Sequence, residues 1–269
     1  MIRIHWSYSF GNNMYHYIIA RLLAEKFNLP LSYEDVSRWP RTKNPKENHA
    51  QVLTDPIEYL DIMGVKIDYY PEGSSTTTRL TNYNQLKNIK TNCEYVLNRK
   101  DAWNFFNRED MKNNFYKAKQ WFPKIDNINK DDLVVHARLG KDWYRKNRVP
   151  EFKKIKEMLD TIEFDRIFIC TDSPNDDYIS NFKTIGKECI IKSTKTRECD
   201  PKTGFFLNEV GSKLIVDDFN FIRSFDKILL TSPTSTFSFL SAALSNASSV
   251  KFDIDEAKNN HWFLHELFQ

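Results

Sequence analysis

The second half of the chain alternates between short apolar runs and longer segments whose apolar residues recur at helical spacing. Such runs predict strands, and the segments between them predict helices. The predicted strands are 133–139, 166–172, 189–193, 227–232 and 249–254, and the predicted helices lie near 150–162, 174–184, 211–224 and 235–245. Continuous apolar strands that alternate with helices are typical of a parallel sheet covered on both faces, so the pattern predicts an α/β fold.

The first half has a less regular pattern. Residues 2–8 alternate like a short strand, and residues 14–28 predict an amphipathic helix that begins near Met14. The remaining predicted elements are a helix at 55–63, a strand at 65–70, a polar loop or flap at 73–92 and a helix at 101–122.

A polar run at 123–132 predicts a linker between the two halves. We therefore expect Rossmann-like domains at 1–125 and 126–254 and a closing helix at 255–269, capped by Asp255. Two α/β halves of this kind are expected to face a central cleft, and ligands of such sheets bind at the carboxyl ends of the strands. The residues that follow the strands are thus the candidates for a site.

Composition narrows the class of partner. The 269 residues carry a net charge of only +3, so no strong basic field predicts nucleic acid or an anionic membrane as a partner. No apolar window approaches the ~20 residues of a membrane span, and the N-terminus lacks the apolar core of a signal peptide. The four cysteines have no metal-finger spacing and are interpreted as reduced thiols. We expect a soluble cytoplasmic protein.

Gly11, Asn12 and Asn13 follow the first predicted strand. Glycine permits a positive φ and a close approach of the backbone to a ligand, and the next helix would direct its N-terminal N–H groups at the loop. The alternative is an ordinary strand-to-helix turn.

The stretch "HARLGKDW" ends the first strand of the second half. Arg138 beside Gly140 suits capture of a phosphate, since a guanidinium matches two oxygens. His136 lies two residues earlier and so on the same side of the strand. The alternatives are a surface ion pair for Arg138 and a hydrogen-bonded core imidazole for His136.

Two further strand ends carry polar residues. Asp172 and Ser173 are candidates to bind a base or ribose, or else to cap a helix ahead of Pro174. The stretch "TSPTSTFS", 231–238, gathers hydroxyls and backbone N–H groups at a helix start, which predicts an anion site. Ordinary capping, with Phe237 packed in the core, is the alternative.

Asp253 and Asp255 form an Asp-x-Asp pattern, which in many nucleotide-sugar transferases holds a divalent metal. Because Asp255 is also the expected cap of the last helix, we interpret the pattern as coincidence. The sequence predicts no metal site and no cofactor.

Four motifs, in this order, resemble those of the fucosyltransferase superfamily. "SFGNNMYHYIIARLLAEKFNLPL" resembles the N-terminal Gly-Asn-Gln motif of α-1,2-fucosyltransferases and the Phe-Gly-Asn-Gln…His opening of protein O-fucosyltransferases. "HARLGKDW" resembles the His-x-Arg-Arg-Gly-Asp motif of the former and the His-Leu-Arg-Ile-Gly-x-Asp-Trp motif of the latter. "CTDS" and "TSTFSFLSAAL" resemble the Thr-Asp-Ser and Ser-Ser/Thr-Phe-Ser elements of both.

The resemblance implies a GT-B architecture and an inverting, metal-independent transfer from a GDP-sugar, with GDP-fucose favoured over other donors, to a glycan acceptor. It implies that Arg138 neutralises the leaving diphosphate and that Asn12 and Asn13 face donor and acceptor. The general base stays open among His16, Asp142 and His136. The donor-binding residues implied are Gly11, Asn13, His136, Gly140, Asp172, Ser173, Thr234, Ser235, Thr236 and Phe237.

The chain departs from these motifs at two positions. Leu139 replaces the second arginine of the α-1,2 motif, and Asn13 replaces the usual glutamine. The cysteine pattern also lacks the secretory disulfides of the protein O-fucosyltransferases. The sugar pocket is the least constrained part of such a site. Two alternatives therefore stay open: a same-fold transferase that uses UDP-xylose or a rhamnosyl donor, and a non-catalytic carbohydrate-binding module.

Overall fold

The computed structural model divides the chain into two compact units, Met1–Pro123 with Arg197–Val216, and Lys124–Thr196 with Asp217–Gln269. The predicted boundaries at 125 and 254 stay predictions. The structure describes residues 1–4, 10–33, 60–61, 63–65, 77–81, 83–90, 94–97, 116–127, 129–140, 143–144, 147–192, 210–232 and 234–255.

The first unit contains a parallel sheet of four strands in the order β2-β1-β4-β3. Its elements are β1 (Ile2–Ile4), α1 (Phe10–Phe27), β2 (Leu31–Tyr33), β3 (Thr77–Leu80), a 3₁₀ helix (Tyr83–Asn88), β4 (Glu94–Leu97) and a short 3₁₀ helix (Lys119–Trp121). The loop predicted at 73–92 is therefore wrong in part, because it contains β3 and the first 3₁₀ helix. β4 was not predicted. β3 and β4 are short and partly polar, and pairing with neighbouring strands of the sheet stabilises their extended conformation.

Helix α1 corrects two details of the prediction. It begins at Phe10 rather than near Met14, so Gly11, Asn12 and Asn13 lie in its first turn and not in a loop. Its first part is also not amphipathic, since every residue from Phe10 to Ala20 is buried, whereas Glu25 and Lys26 near its end are exposed. A helical segment that is buried on all sides contributes its polar residues to an interior, where they need hydrogen-bond partners.

The second unit contains a parallel sheet of five strands in the order β7-β6-β5-β8-β9. The strands are β5 (Asn129–Ala137), β6 (Arg166–Thr171), β7 (Glu188–Ile191), β8 (Phe225–Leu230) and β9 (Ser249–Phe252), and the helices are α2 (Phe152–Leu159), α3 (Asp177–Ser180), α4 (Val210–Arg223) and α5 (Thr236–Ala243). The residues of α4 up to Val216 are counted with the first unit and those from Asp217 with the second. A 3₁₀ turn at Asn181–Ile185 continues α3. The predicted α/β class with parallel sheets is confirmed.

The centre of this sheet explains the sequence pattern. Leu133, Val134 and Val135 of β5 are all fully buried, because both faces of the strand are covered. β5 begins at Asn129, inside the predicted linker. The sequence pattern predicted a linker there because the first residues of the strand are polar and exposed or half-buried. The chain proceeds from β5 outward through β6 to β7, then returns to β8 on the other side of β5. The order of strands thus reverses between β5 and β8, which is where open α/β sheets bind ligands.

Most of the predicted helix at 55–63 and of the strand at 65–70, the first part of the helix at 101–122, and most of the closing helix lie outside the described residues. Of these predicted segments, Leu60 and Asp61, residues 116–118, and Ile254 and Asp255 are helical. Among the described helices, none combines the length and the apolar character that crossing a membrane requires.

Candidate functional site

His136 joins the end of β5 to the start of α5. Its Nδ1 shares a hydrogen bond of 2.6 Å with Ser238 Oγ, and its ring lies 5.2 Å from the ring of Phe237. The loop after β8 is tied to the same residue, because the backbone N–H and the hydroxyl of Thr231 both donate to the His136 carbonyl oxygen at 3.2 Å. The hydrogen-bonded core imidazole is therefore the arrangement observed, and it places the helix start against the strand end.

Arg138 and Asp172 extend the neighbouring strands β5 and β6. Arg138 Nε lies 3.1 Å from Asp172 Oδ2, and Asp172 Oδ1 accepts a hydrogen bond of 2.7 Å from the backbone N–H of Leu139. The alternative of Asp172 as a helix cap is wrong, since Asp176 caps α3 by accepting from Tyr178 N. Asp172 instead fixes the turn after β5 and holds one edge of the Arg138 guanidinium, whose side chain stays 35% exposed.

The N-terminus of α5 lies beside these residues through the His136 contact. Ser235 caps the helix by accepting from Ser238 N at 3.5 Å, so the predicted capping alternative is also observed. Thr234, just before the cap, is 6% exposed, and its hydroxyl has no hydrogen-bond partner within the described residues. Thr236 and Phe237 follow in the first turn and are half-buried. A helix N-terminus carries a partial positive charge and attracts anions.

Trp143 is a central residue whose packing the sequence did not reveal. Its indole Nε1 donates to Ser232 Oγ at 3.0 Å, and its backbone N–H donates to Gly140 O at 2.7 Å. Trp143 belongs to "HARLGKDW", but its partner Ser232 follows a strand that is distant in sequence. The ring links the loops after β5 and β8. The guanidinium carbons of Arg138 and Arg148 each lie 5.3 Å from its centroid.

Tyr144 shows the electrostatic character of the outer rim. Its hydroxyl donates to Asp176 Oδ1 at 2.7 Å. Partial burial, followed by this hydrogen bond and the negative charges of Asp176, Asp177 and Asp172, raises the pKa of Tyr144 to about 12. The negative charges of three carboxylates are therefore felt at the turn that follows β5, where they attract the positive side chains.

Several of the predicted residues meet within the second unit. His136, Arg138, Asp172, Ser235 and Phe237 belong to one connected set of contacts in the second unit, in which the backbone N–H of Ser235 donates to the Ser232 carbonyl oxygen at 3.0 Å. Thr234 and Thr236 adjoin it in sequence. The backbone N–H of Ser173 donates to Thr171 Oγ1 at 3.2 Å, and the carbonyl oxygen of Gly140 accepts from the backbone N–H of Trp143. Asp142 lies outside the described residues.

The other predicted residues belong to the first unit. Gly11, Asn12, Asn13 and His16 are all buried in α1. Gly11 is not among the described glycines with a positive φ, which are Gly64 and Gly186, so its proposed use in a turn is wrong. Gly11 instead lies inside a helix, where glycine is less favourable than alanine.

Among the described residues, no group of three or more His, Cys, Asp or Glu side chains is arranged to hold a metal ion. Asp253, from the Asp-x-Asp pattern, forms an ion pair of 3.6 Å with Lys154.

No family model and no curated protein matches the sequence. Among solved structures, the chain is similar to fucosyltransferase NodZ from Bradyrhizobium, with 12% identity, a TM-score of 0.47 and coverage of 91% of this chain and 93% of NodZ. It is similar to POFUT1 in complex with GDP, with 10% identity, a TM-score of 0.44 and coverage of 93% and 97%. It is also similar to a mutant of Arabidopsis thaliana FUT1 in complex with GDP, with 12% identity, a TM-score of 0.46 and coverage of 93% and 69%.

These solved structures are fucosyltransferases, the superfamily whose motifs the sequence resembles. Their TM-scores lie below 0.5, so this similarity assigns no function to the chain.

Proposed function

We propose that the protein is an inverting, metal-independent glycosyltransferase that moves fucose from GDP-fucose to a hydroxyl of a glycan. The observation that supports it best is the junction of β5 and β8. There the bond between His136 and Ser238 holds the N-terminus of α5 beside the strand end that carries Arg138. A cationic side chain and a helix N-terminus at the point where the strand order reverses suit a diphosphate.

The proposed reaction is a single displacement. The acceptor hydroxyl oxygen forms a bond to the anomeric carbon, while the bond from that carbon to the diphosphate oxygen breaks on the opposite face. The electron pair leaves with GDP, and the hydroxyl proton passes to a general base. Arg138 and the N-terminus of α5 stabilise the charge that develops on the leaving diphosphate, which is work that a preorganised positive group does without reorganisation.

We propose that the general base is one of the three predicted candidates, His16, Asp142 and His136. His136 is the weakest of them, because its Nδ1 already shares a bond with Ser238 and the residue is buried. Its proposed role is to position α5. His16 and Asp142 stay candidates, and Asp142→Asn and His16→Gln are the variants that separate them through the pH dependence of turnover.

Thermal-shift titration tests the donor. GDP at about 100 times its dissociation constant should add ~2.7 kcal/mol of stability, and UDP at the same concentration should add less. A shift with UDP and none with GDP would replace the fucose donor by another nucleotide sugar. Turnover is then measured as release of GDP from GDP-fucose in the presence of a glycan panel. Binding without any release would favour the non-catalytic carbohydrate-binding module.

Metal independence and the role of the first unit have their own tests. We expect turnover to be the same with excess EDTA and with added Mg²⁺, and a loss with EDTA that Mg²⁺ restores would contradict it. We expect Asn12→Ala to lower turnover while the melting temperature is largely kept. Normal turnover in a folded Asn12→Ala protein would leave Asn12 as a residue of the helix start only.

A further inference from the structure

Trp143 is fixed where two loops of the second unit meet. Its backbone N–H is bound to Gly140 after β5, at 2.7 Å, and its indole Nε1 is bound to Ser232 after β8, at 3.0 Å. The residue is 7% exposed. Because the ring is buried and tied to both loops, a group that stacks on it is held at the junction of β5 and β8.

Two arginines use this ring. The guanidinium carbons of Arg138 and Arg148 lie at the same distance, 5.3 Å, from the ring centroid. They are therefore no farther apart than twice that distance. The backbone N–H of Arg148 donates to the Trp143 carbonyl oxygen at 3.0 Å, which keeps Arg148 on the same turn. Guanidinium groups favour the faces of aromatic rings, so both side chains have a defined orientation.

The two arginines differ in how their charge is balanced. Arg138 is matched by Asp172, so that pair has no net charge. Within the described part of the chain, the Arg148 side chain forms no hydrogen bond and no ion pair, and Trp143 is its contact. The nearby carboxylates of Asp176 and Asp177 would repel a diphosphate. Among the described residues, Arg148 is thus a positive charge that Trp143 holds in place and that no carboxylate pairs.

The sequence around Arg148 is consistent with an anionic ligand. Residues 138–148 contain five basic residues and one acidic residue, in a chain whose total charge is only +3. A turn with this excess of positive charge lowers the cost of bringing a diphosphate to it.

We propose that Arg148, held on Trp143, binds the diphosphate of the nucleotide donor together with Arg138, and that Trp143 is the positioning residue for both. This inference rests on the proposed function. It assigns to Arg148 the positive charge that the Arg138–Asp172 pair cannot supply alone, and it assigns to the bond from Trp143 to Ser232 the task of keeping that charge at the junction.

Calorimetric titration of GDP, GMP and guanosine tests the assignment. Arg148→Gln is expected to weaken GDP binding about 10- to 100-fold, the range for a hydrogen bond to a charged group, and to leave guanosine binding unchanged. Arg148→Lys keeps the charge without the planar fork and should lie between the two. The slope of GDP affinity against salt concentration should also become shallower in Arg148→Gln.

Two charge-matched controls separate a local contact from a general field. Lys146→Gln removes the same charge two residues earlier in the chain. Lys187→Gln removes a cation that lies 5.9 Å from the ring of Phe164, just before the first residue of β7. We expect a smaller loss of GDP affinity in the first and none in the second. An equal loss in Lys146→Gln and Arg148→Gln, or unchanged GDP binding in Arg148→Gln, would overturn the proposal.

Variants of Trp143 test the positioning role. Trp143→Phe keeps an aromatic face and loses the bond to Ser232, whereas Trp143→Leu loses both. GDP affinity should fall further in the second, in proteins whose circular dichroism is unchanged. If the wild-type protein binds UDP in preference to GDP, the fucose donor is wrong and the same variants are titrated with UDP. If it binds no nucleoside diphosphate, the proposed function fails and this inference fails with it.

Discussion

Two aspartate–arginine pairs connect β5 and β6, one at each end of the strands. At the amino end, Arg166 donates to both carboxylate oxygens of Asp132, at 3.0 and 2.8 Å. At the carboxyl end, Arg138 contacts Asp172 through Nε alone, at 3.1 Å, and the other Asp172 oxygen accepts from Leu139 N. The chemical groups are the same, but the two strands contribute opposite members. At the amino end β5 supplies the aspartate and β6 the arginine, whereas at the carboxyl end the arginine follows β5 and the aspartate follows β6.

The difference shows how one kind of pair serves two purposes. At the amino end, the Arg166 guanidinium donates to both oxygens of one carboxylate, which is the strong geometry for an arginine–carboxylate pair. At the carboxyl end the carboxylate is shared with the backbone, and the guanidinium is stacked on Trp143 next to the helix start of α5. The first arrangement joins β5 to β6 at their amino ends, while the second presents a positive group at the carboxyl ends, where ligands of such sheets bind.

The largest expected effect comes from Arg138→Ala. We expect turnover to fall about 10²- to 10³-fold, as for other preorganised groups that stabilise a developing charge. Arg166→Ala is the matched control at the opposite end, and it should lower the melting temperature without changing turnover per folded molecule. GDP release and thermal melts measure the two. Similar losses of turnover in both variants would mean that the pairs do not differ in purpose.

Asp172→Asn should separate binding from turnover. The amide oxygen can still accept from Leu139 N, but the charge that holds Arg138 is gone, so we expect kcat to fall about tenfold. The donor KM should not rise, because one carboxylate that repels the diphosphate is removed. Asp132→Asn, its counterpart at the amino end, should leave both constants unchanged. A donor KM that rises in Asp172→Asn would show that Asp172 binds the donor directly.

Ser238→Ala tests the link between β5 and α5. It leaves the buried Nδ1 of His136 without its partner, which should cost about 1–3 kcal/mol of unfolding free energy. It should also weaken GDP binding, since the helix start loses its attachment to the strand. Ser241→Ala, one turn later on the same helix, removes a buried bond to the backbone oxygen of Ser238 and should cost stability alone. Equal GDP affinity in the two variants would contradict the link.

The smallest effect is expected at the rim. The pKa of Tyr144 is raised from 10.0 to about 12, so its neutral form is favoured in the folded protein. The stability that this shift contributes is complete below pH 10 and is lost as the pH rises through about 12. Since Tyr144 is exposed, the effect is small. Urea unfolding between pH 9 and 12 should show a shallower loss of stability in Tyr144→Phe than in the wild type, and identical slopes would contradict the shift.

The secondary structure of the second unit was predictable because its strands are continuous apolar runs. Every predicted strand there corresponds to an observed one, from β5 to β9. In the first unit β3 and β4 were missed, since Thr77–Leu80 and Glu94–Leu97 become strands through pairing with each other and with β1. The start of α1 was placed too late, because glycine and asparagine are typical of turns and here lie in a helix.

What the sequence determined by itself is the class of fold of the second unit and the residues that follow its strands. Local periodicity is enough for the first, and the order of the chain along parallel strands is enough for the second. Only the tertiary structure decided which of those residues meet. Ser238 and His136, Ser232 and Trp143, and Asp172 and Arg138 are distant in sequence and are brought together by strand register, which no local pattern encodes.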